Sequence, residues 1–333
     1  MARAHRIFWA ARLQVGQVFF AVVSLVASGV PGSVWAGEGS AASAAYVTNQ
    51  IGNSLSIVDL ATEKQVAEIA IGGKPAGIAM SPDGRSAYVA APDGREVIAI
   101  DTASRSVIKR AAVGKGPLGI AVNPTTGAIY VADWYEHRLY VVDPATLAVT
   151  ATVPTGQSPS GVAVTADGTT ILTADRDSNQ VSVIDAATFK VQSTIATGER
   201  PFGITIDEAA GRAYTANVAA NTITVIDLKS RTHLSDVPVG LRPYAVARAA
   251  NLLFVTNQHD ESVSVIDAVT LQPVKTLRVG GFPEGIEADP TGSTIWVACW
   301  DANTLEKIDV ATLSVTARIP VGEGPRAFGK FLR

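Results

Sequence analysis

From Ala45 onward, short apolar runs alternate with clusters of Gly, Pro, Asn and Asp, and no segment sustains a 3.6-residue hydrophobic period. AYVTN (Ala45–Asn49) reads as a strand, QIGN as a turn, and SLSIVD (Ser54–Asp59) as a second strand. QVAEIAIG (Gln65–Gly72) and the proline-opened PAGIAM (Pro75–Met80) supply two more. All four are rich in Val, Ile, Ala and Thr, which suit a pleated, half-buried surface. Two strands cannot bury a core alone, so the first pair needs partners.

The pattern supplies them by repetition. AYVTN returns as AYVAA from Ala87, IYVAD from Ile129, ILTAD from Ile171, AYTAN from Ala213, LFVTN from Leu253 and IWVAC from Ile295, in steps of 42, 42, 42, 42, 40 and 42 residues. Four short strands in each such period are the signature of a propeller blade. The expected fold is therefore all-β: a seven-bladed β-propeller of four-stranded antiparallel blades. In each blade, strand A is the proline-opened run and is innermost, being richest in Gly and Ala. B is the AYVTN run, C the SLSIVD run and D the QVAEIAIG run.

Strand A begins at Pro75, Pro117, Pro159, Pro201, Pro243, Pro283 and Pro325. No such strand precedes Ala45, whereas the last one, PRAFGKF, lies almost at the C-terminus. PRAFGKF is expected to pair with AYVTN and close the ring, leaving no free edge between the ends of the chain. The single 40-residue step predicts an A–B hairpin two residues shorter between Pro243 and Leu253.

A repeat separates scaffold from site. The acid ending strand C occurs in every copy (Asp59, Asp101, Asp143, Asp185, Asp227, Asp267, Asp309), always with Ser or Thr three residues later. Such pairs hydrogen-bond turn backbone, so this ring of carboxylates reads as turn chemistry and not as an acid/base or metal set. Glycines two residues after the proline (Gly77, Gly119, Gly161, Gly203, Gly285) suit close backbone approach at the axis.

The deviations are the candidates for function. The D–A and B–C loops must share one face. There the residues after the prolines are Ala76, Leu118, Ser160, Phe202, Tyr244, Glu284 and Arg326, the first three smaller and the last four large and varied. Lys74, Arg200, Arg242 and Phe282 precede prolines on the same rim, and strand B ends there at Asp133-Trp134, Asp175-Arg176, Asn257-Gln258-His259 and Cys299-Trp300. The expected ligand-binding set is Phe202, Tyr244, Glu284, Arg326, Asp133, Trp134, Arg176, Arg200, Arg242, His259 and Trp300. Trp134-Tyr135-Glu136-His137-Arg138 is its densest patch. Against this stand blander roles: the Asn or Asp as a turn cap, Trp134 and Trp300 as cover for the channel wall.

AYVTN, the trailing VID-x-AT and the PDG turn at Pro82-Asp83-Gly84 resemble the YVTN-repeat β-propeller family of YncE-like exported bacterial proteins, over residues 45–333. The resemblance implies the propeller fold. Its members and fold neighbours include nucleic-acid binders, cell-surface modules, subunits beside quinoprotein dehydrogenases, and lactonases, so fold alone does not choose a function.

The first 36 residues differ from the rest. They carry Arg3, Arg6 and Arg12 and no acid, then a thirteen-residue apolar run, Val18–Val30, then Val34-Trp35-Ala36. A spanning helix needs about 20 apolar residues. The segment reads as a secretory signal peptide cleaved after Ala36, the alternative being an uncleaved anchor. Residues 37–44 form a flexible lead-in and 45–333 the propeller. Export to the periplasm or medium is expected, without membrane insertion once the signal is removed. Loss of three arginines from 27 basic residues leaves 24 against 30 acidic, a net −6, which argues against a broad phosphate-binding surface. The lone Cys299 excludes an intrachain disulfide.

No nucleophile elbow, HExxH, CxxC, haem-attachment or phosphate-loop motif is present, so neither a cofactor nor a metal is expected. The sequence favours an exported binding or scaffolding propeller whose funnel face takes a small ligand, a peptide or a periplasmic protein partner. A lactonase- or lyase-type enzyme using Glu284, His259 and the arginines on an anionic substrate is the alternative. Single-stranded nucleic acid stacked on Trp134, Trp300, Tyr244 and Phe202 is a third reading, which net acidity disfavours.

Overall fold

A computed structural model describes residues 43–333; the expected signal peptide and most of the lead-in lie outside the described residues. Blade 1 holds β1 (Ala44–Asn49), β2 (Ser54–Asp59) and β3 (Lys64–Ala70). Blade 2 holds β4 (Gly77–Met80), β5 (Ser86–Ala91), β6 (Glu96–Asp101) and β7 (Ser106–Ala112). Blade 3 is β8 (Pro117–Val122), β9 (Ile129–Asp133), β10 (Arg138–Val142) and β11 (Val149–Pro154), and blade 4 is β12 (Pro159–Val164), β13 (Thr170–Asp175), β14 (Gln180–Asp185) and β15 (Lys190–Ala196). Blade 5 is β16 (Pro201–Asp207), β17 (Arg212–Asn217), β18 (Thr222–Asp227) and β19 (Thr232–Pro238), and blade 6 is β20 (Pro243–Ala249), β21 (Leu252–Asn257), β22 (Ser262–Asp267) and β23 (Pro273–Arg278). Blade 7 is β24 (Pro283–Ala288), β25 (Thr294–Cys299), β26 (Thr304–Asp309) and β27 (Ser314–Pro320), and β28 (Phe328–Gly329) follows. Blades 3 to 7 are complete four-stranded antiparallel sheets in A-B-C-D order.

Burial explains why only some strands alternate in sequence. β1 and β5 are buried at every position after the first, because a neighbouring blade covers each face. The outer β3 alternates strictly between half-buried and exposed residues. These D strands are free edges. In all seven blades the C–D pairing slips at one place, from Ile57/Val58 in blade 1 to Lys307/Ile308 in blade 7. A bulge there twists the edge and spoils it as a template for another chain.

The ring closes as the repeat count requires. Antiparallel bridges join Asn49 to Pro325 and Ala45 to Leu332. The Tyr46 amide donates to the Phe331 carbonyl at 2.9 Å, and the Arg333 amide to the Ala44 carbonyl at 2.9 Å. β28 also runs parallel to β4, the inner strand of the next blade. Phe331 and Leu332 share one core cluster with Ala45, Ile57, Ile98 and Trp296, so both ends of the ring are sealed by the same apolar contacts. The short repeat is an A–B hairpin reduced to residues 250–251 between β20 and β21.

Inner strands crowd at the axis. A Cβ on Gly119 would lie 1.8 Å from the Ser160 carbonyl oxygen of the next blade. The Gly285 amide itself donates to the Arg326 carbonyl at 2.9 Å. Among the described residues no helix is long and apolar enough to cross a membrane.

Candidate functional site

The funnel face is built by one backbone device, repeated. The residue after strand B donates its N–H to the carbonyl of the residue preceding the proline of its own blade: Gln50 to Gly324, Trp134 to Gly116, Arg176 to Ser158, Val218 to Arg200, Gln258 to Arg242 and Trp300 to Phe282, at 2.8–3.2 Å. Blade 2 has Pro92 there, which lacks an N–H, and Asp93 substitutes by donating to Gly73 at 3.1 Å. A second tie crosses blades. Asn53, Asn179, Asn221 and Asn303 sit in the left-handed region, which Asn tolerates, and their Oδ1 atoms accept the amides of Lys74, Arg200, Arg242 and Gly324. The backbones of Arg200 and Arg242 are thus held from two sides, and rigid elements present precise sites.

Two residues singled out in the sequence belong to this scaffold. His137 occupies the asparagine position in blade 3, and its Nδ1 accepts the Ser158 amide at 3.0 Å, which leaves the ring proton on Nε2. Asp133 is fully buried, and its carboxylate accepts four backbone N–H groups, from Lys115, Gly116, Tyr135 and Glu136, at 2.7–3.0 Å. Asp175, one blade on, is likewise enclosed, and burial pushes its carboxyl above the ordinary range.

At the axis the large residues converge. The Phe202 ring lies 4.3 Å from Tyr244 and 5.0 Å from Phe328, and Trp134 lies 6.1 Å from Phe202. These rings close the channel beneath the funnel. Beside them, Arg326 Nε pairs with Glu284 Oε2 at 2.6 Å, and Arg326 Nη2 donates to the Tyr244 hydroxyl. The other Glu284 oxygen accepts from Gln258 Nε2 at 2.9 Å, and Gln258 Oε1 accepts from Arg242 Nε at 2.9 Å. Burial drives the Glu284 carboxyl above its ordinary range against the pull of Arg326, and also raises the Tyr244 hydroxyl; Arg326 stays charged beside Glu284. Gln258 and Phe328 complete this cluster. Neither stood out as a ligand candidate, since Gln258 is one of several polar residues after strand B and Phe328 lies in the irregular closing strand.

Above and outside the plug is a groove of about 280 Å³ lined by Arg176, Arg200, Val218, Ala219, Asn221, Leu241, Arg242 and His259. No acid lines it. Arg176 pairs with Asp177 at 2.6 Å and covers the Trp134 ring, its Cζ 5.1 Å from the centroid. Arg200 and Arg242 make no close ion pair among the described residues, although the Arg242 charge acts on Glu284, and both are exposed. At the groove's end the His259 ring stands edge-on to Phe282 at 5.6 Å, and Phe282 lies 6.3 Å from Trp300. The structure therefore gathers Phe202, Tyr244, Glu284 and Arg326 into a closed plug with Trp134 at its margin, and places Arg176, Arg200, Arg242 and His259 around an open groove. Trp300 lies on the adjoining rim. Among the described residues no three His, Cys, Asp or Glu side chains come together as a metal site. Cys299 is fully buried, which raises its thiol far above the reactive range.

Residues 39–126 match the family model described as YNCE-like beta-propeller. Over that stretch the chain is similar to YncE-like β-propellers, and its seven-bladed ring agrees with the likeness. No curated protein matches the chain. Among solved structures, the chain resembles hydrazine synthase of Kuenenia stuttgartiensis, at 21% identity over 81% of this chain and 93% of that one, with a TM-score of 0.74. A functionally unknown protein from Desulfotomaculum acetoxidans is similar at 16% identity over 86% and 99%, with a TM-score of 0.73. Dihydro-heme d1 dehydrogenase NirN in complex with DHE is similar at 19% identity over 86% and 66%, with a TM-score of 0.62. Identities this low carry the fold alone.

Proposed function

We propose that the protein is an exported binding propeller that takes a ligand at its funnel face without transforming it. One contrast carries the reading. Both oxygens of Glu284 and the guanidinium of Arg326 are engaged inside the plug, whereas the Arg200 and Arg242 side chains flank an open groove on a doubly tied backbone. A general acid or base must reach the proton it moves, and Glu284 is only 7% exposed. Cys299 is sealed and unreactive, so the funnel floor offers no free nucleophile of that kind. Two of the similar structures are named as enzymes, but their likeness reaches the fold and not the site. Export rests on the basic, then apolar, then small-residue order of residues 1–36.

The test is a thermal-shift and turnover screen of the purified protein against organic acids, lactones, divalent metals and short oligonucleotides. A compound that raises the midpoint and is recovered unchanged supports binding without catalysis. Hydrolysis or elimination at a rate abolished by Glu284→Gln would establish the lactonase or lyase alternative instead.

A further inference from the structure

The funnel rim divides into two arcs of different chemistry, and one residue belongs to both. Arg176, Arg200 and Arg242 supply positive charge along blades 4 to 6. Phe282, 38% exposed, and Trp300 supply ring surface across blade 7. His259 lines the cationic groove and packs against Phe282. Phe282 and Trp300 lie together with the His259 ring rather than singly. With Arg176 paired to Asp177, Arg200 and Arg242 are the two arginines of the groove without a close ion pair, a pair of like charges that an anion between them would relieve.

Resting on the binding role proposed above, we infer that the ligand is a small aryl oxyanion: a carboxylate or phosphate held by Arg200 and Arg242, joined to a flat apolar body that crosses His259 onto Phe282 and Trp300. A guanidinium fork matches the two oxygens of a carboxylate or phosphate and forms charge-assisted hydrogen bonds. Arg242 already spends its Nε on Gln258, so its orientation is fixed and its Nη groups remain for the anion. A groove of about 280 Å³ lies at the small end of ligand pockets, which suits a one- or two-ring acid and not a long chain. The ring faces provide stacking, which is geometrically specific and weakly hydrated.

The probes are 2-naphthoate, 2-naphthyl phosphate, the neutral 2-naphthalenemethanol, and acetate or inorganic phosphate, titrated into the purified full-length protein by calorimetry. Quenching of tryptophan fluorescence is a second readout. One or both naphthyl anions should bind, more weakly as salt rises. Arg200→Gln/Arg242→Gln and, separately, Phe282→Ser should each weaken that binding at least about tenfold, since each removes a charge-assisted or stacking contact. Arg200 and Phe282 are exposed, so Arg200→Gln alone and Phe282→Ser should keep the wild-type melting midpoint. Arg242→Gln also removes the donor to the buried Gln258, so midpoints are measured alongside. The Arg200→Gln single variant, which should weaken naphthyl-anion binding by itself, separates loss of binding from loss of stability. Naphthalenemethanol binding as tightly as the anions, or binding indifferent to the arginine change, overturns the inference and leaves the binding role standing. Acetate or phosphate binding as tightly as the naphthyl anions, indifferent to Phe282→Ser, also overturns it. No binding by any of these probes, with a hit elsewhere in the broader screen, overturns the aryl oxyanion alone; silence in both overturns the binding role too.

Discussion

The hydroxyl of Thr256 donates to the main-chain carbonyl of Glu284 at 2.9 Å. The same oxygen accepts the amide of Ala245 at 3.1 Å, so one side chain joins the inner strands of blades 6 and 7. Thr48 repeats this at the closure, between the Ala76 carbonyl at 2.8 Å and the Ala327 amide at 2.9 Å. Only blades 1 and 6 have Thr at this place in strand B, and only they have Ala, not Gly, two residues after the strand A proline. Where Ala replaces Gly, a threonine hydroxyl from the adjoining strand B adds a bond between the two inner strands.

Thr256→Val should leave the Ala245 amide and the Glu284 carbonyl buried and unpaired, at a cost of about 1–3 kcal/mol. Thr256→Ser keeps the hydroxyl and should lose clearly less. Chemical denaturation of the two variants decides it; equal losses would mean that the methyl group, not the bridge, matters.

Gly203→Ala should be destabilising by several kcal/mol, because the new Cβ would sit 2.6 Å from the Tyr244 carbonyl oxygen and 2.8 Å from the Ala245 Cα, and both are backbone. Adding Ala216→Thr rebuilds the arrangement of blades 1 and 6 in blade 5. Recovery of part of the loss in the double variant is expected, a non-additivity proper to residues in contact. Strictly additive losses would show that the Ala and Thr columns are independent.

The fold was legible because a propeller writes itself seven times. The Pro column marked each inner strand, the 40-residue step marked one shortened hairpin, and the missing first strand A pointed to Pro325. The site was less legible for the same reason. His137 and Asp133 look chemical beside Trp134, yet each stands in a column held by Asn or Asp in four other blades, and both bond backbone amides. Tyr244, Glu284 and Arg326 stood out as varied residues at the mouth, but their mutual pairing depends on how far each reaches across the axis. Spacing along the chain does not encode that reach. Gln258 became visible only through the bonds it makes to both Arg242 and Glu284.

Deleting residues 324–333 should unfold the whole ring. The segment contributes the buried Phe328, Phe331 and Leu332, each worth about 1.5–3 kcal/mol, and it satisfies the edge of β1. It also supplies the amides of Phe331 and Leu332 to the buried Glu287 carboxylate at 2.6 and 2.9 Å. Such a loss approaches the whole stability of an ordinary domain. A truncated protein with the parent's melting temperature and circular dichroism would end this account of closure.

Stability should peak in mildly acidic solution and fall on both sides. The seven strand C aspartates accept bonds from the amide and hydroxyl of the Ser or Thr three residues on, as Asp185 does from Thr188, which holds their carboxyls below the ordinary range. Their contribution is present above the unfolded pKa and lost as pH falls through the folded one. Burial raises Glu284 and Glu287, so their sign is opposite: they favour the fold at low pH, and the benefit is lost as pH rises through their raised folded values. Asp185→Asn should flatten the acid limb and Glu287→Gln the neutral limb of a midpoint-against-pH curve. A curve that climbs steadily to pH 8 would refute the role given to the buried pair of glutamates.

The Glu284–Arg326 pair should be strongly coupled. With the Arg326 side chain 14% exposed and that of Glu284 9%, loss of either partner strands the other as an unpaired group in a dry site. Glu284→Ala or Arg326→Ala alone should each cost about 3–5 kcal/mol, most of it desolvation left uncompensated. Arg326→Ala further leaves the Tyr244 hydroxyl without the donor that reaches it, whereas Glu284→Ala also frees Gln258 and loosens Arg242. The double variant removes both charges and should lose markedly less than the two single losses added together. Denaturant titrations of the four proteins close the cycle. A coupling near zero would mean that the pair is screened by solvent entering the mouth, and the plug would then have to be regarded as open.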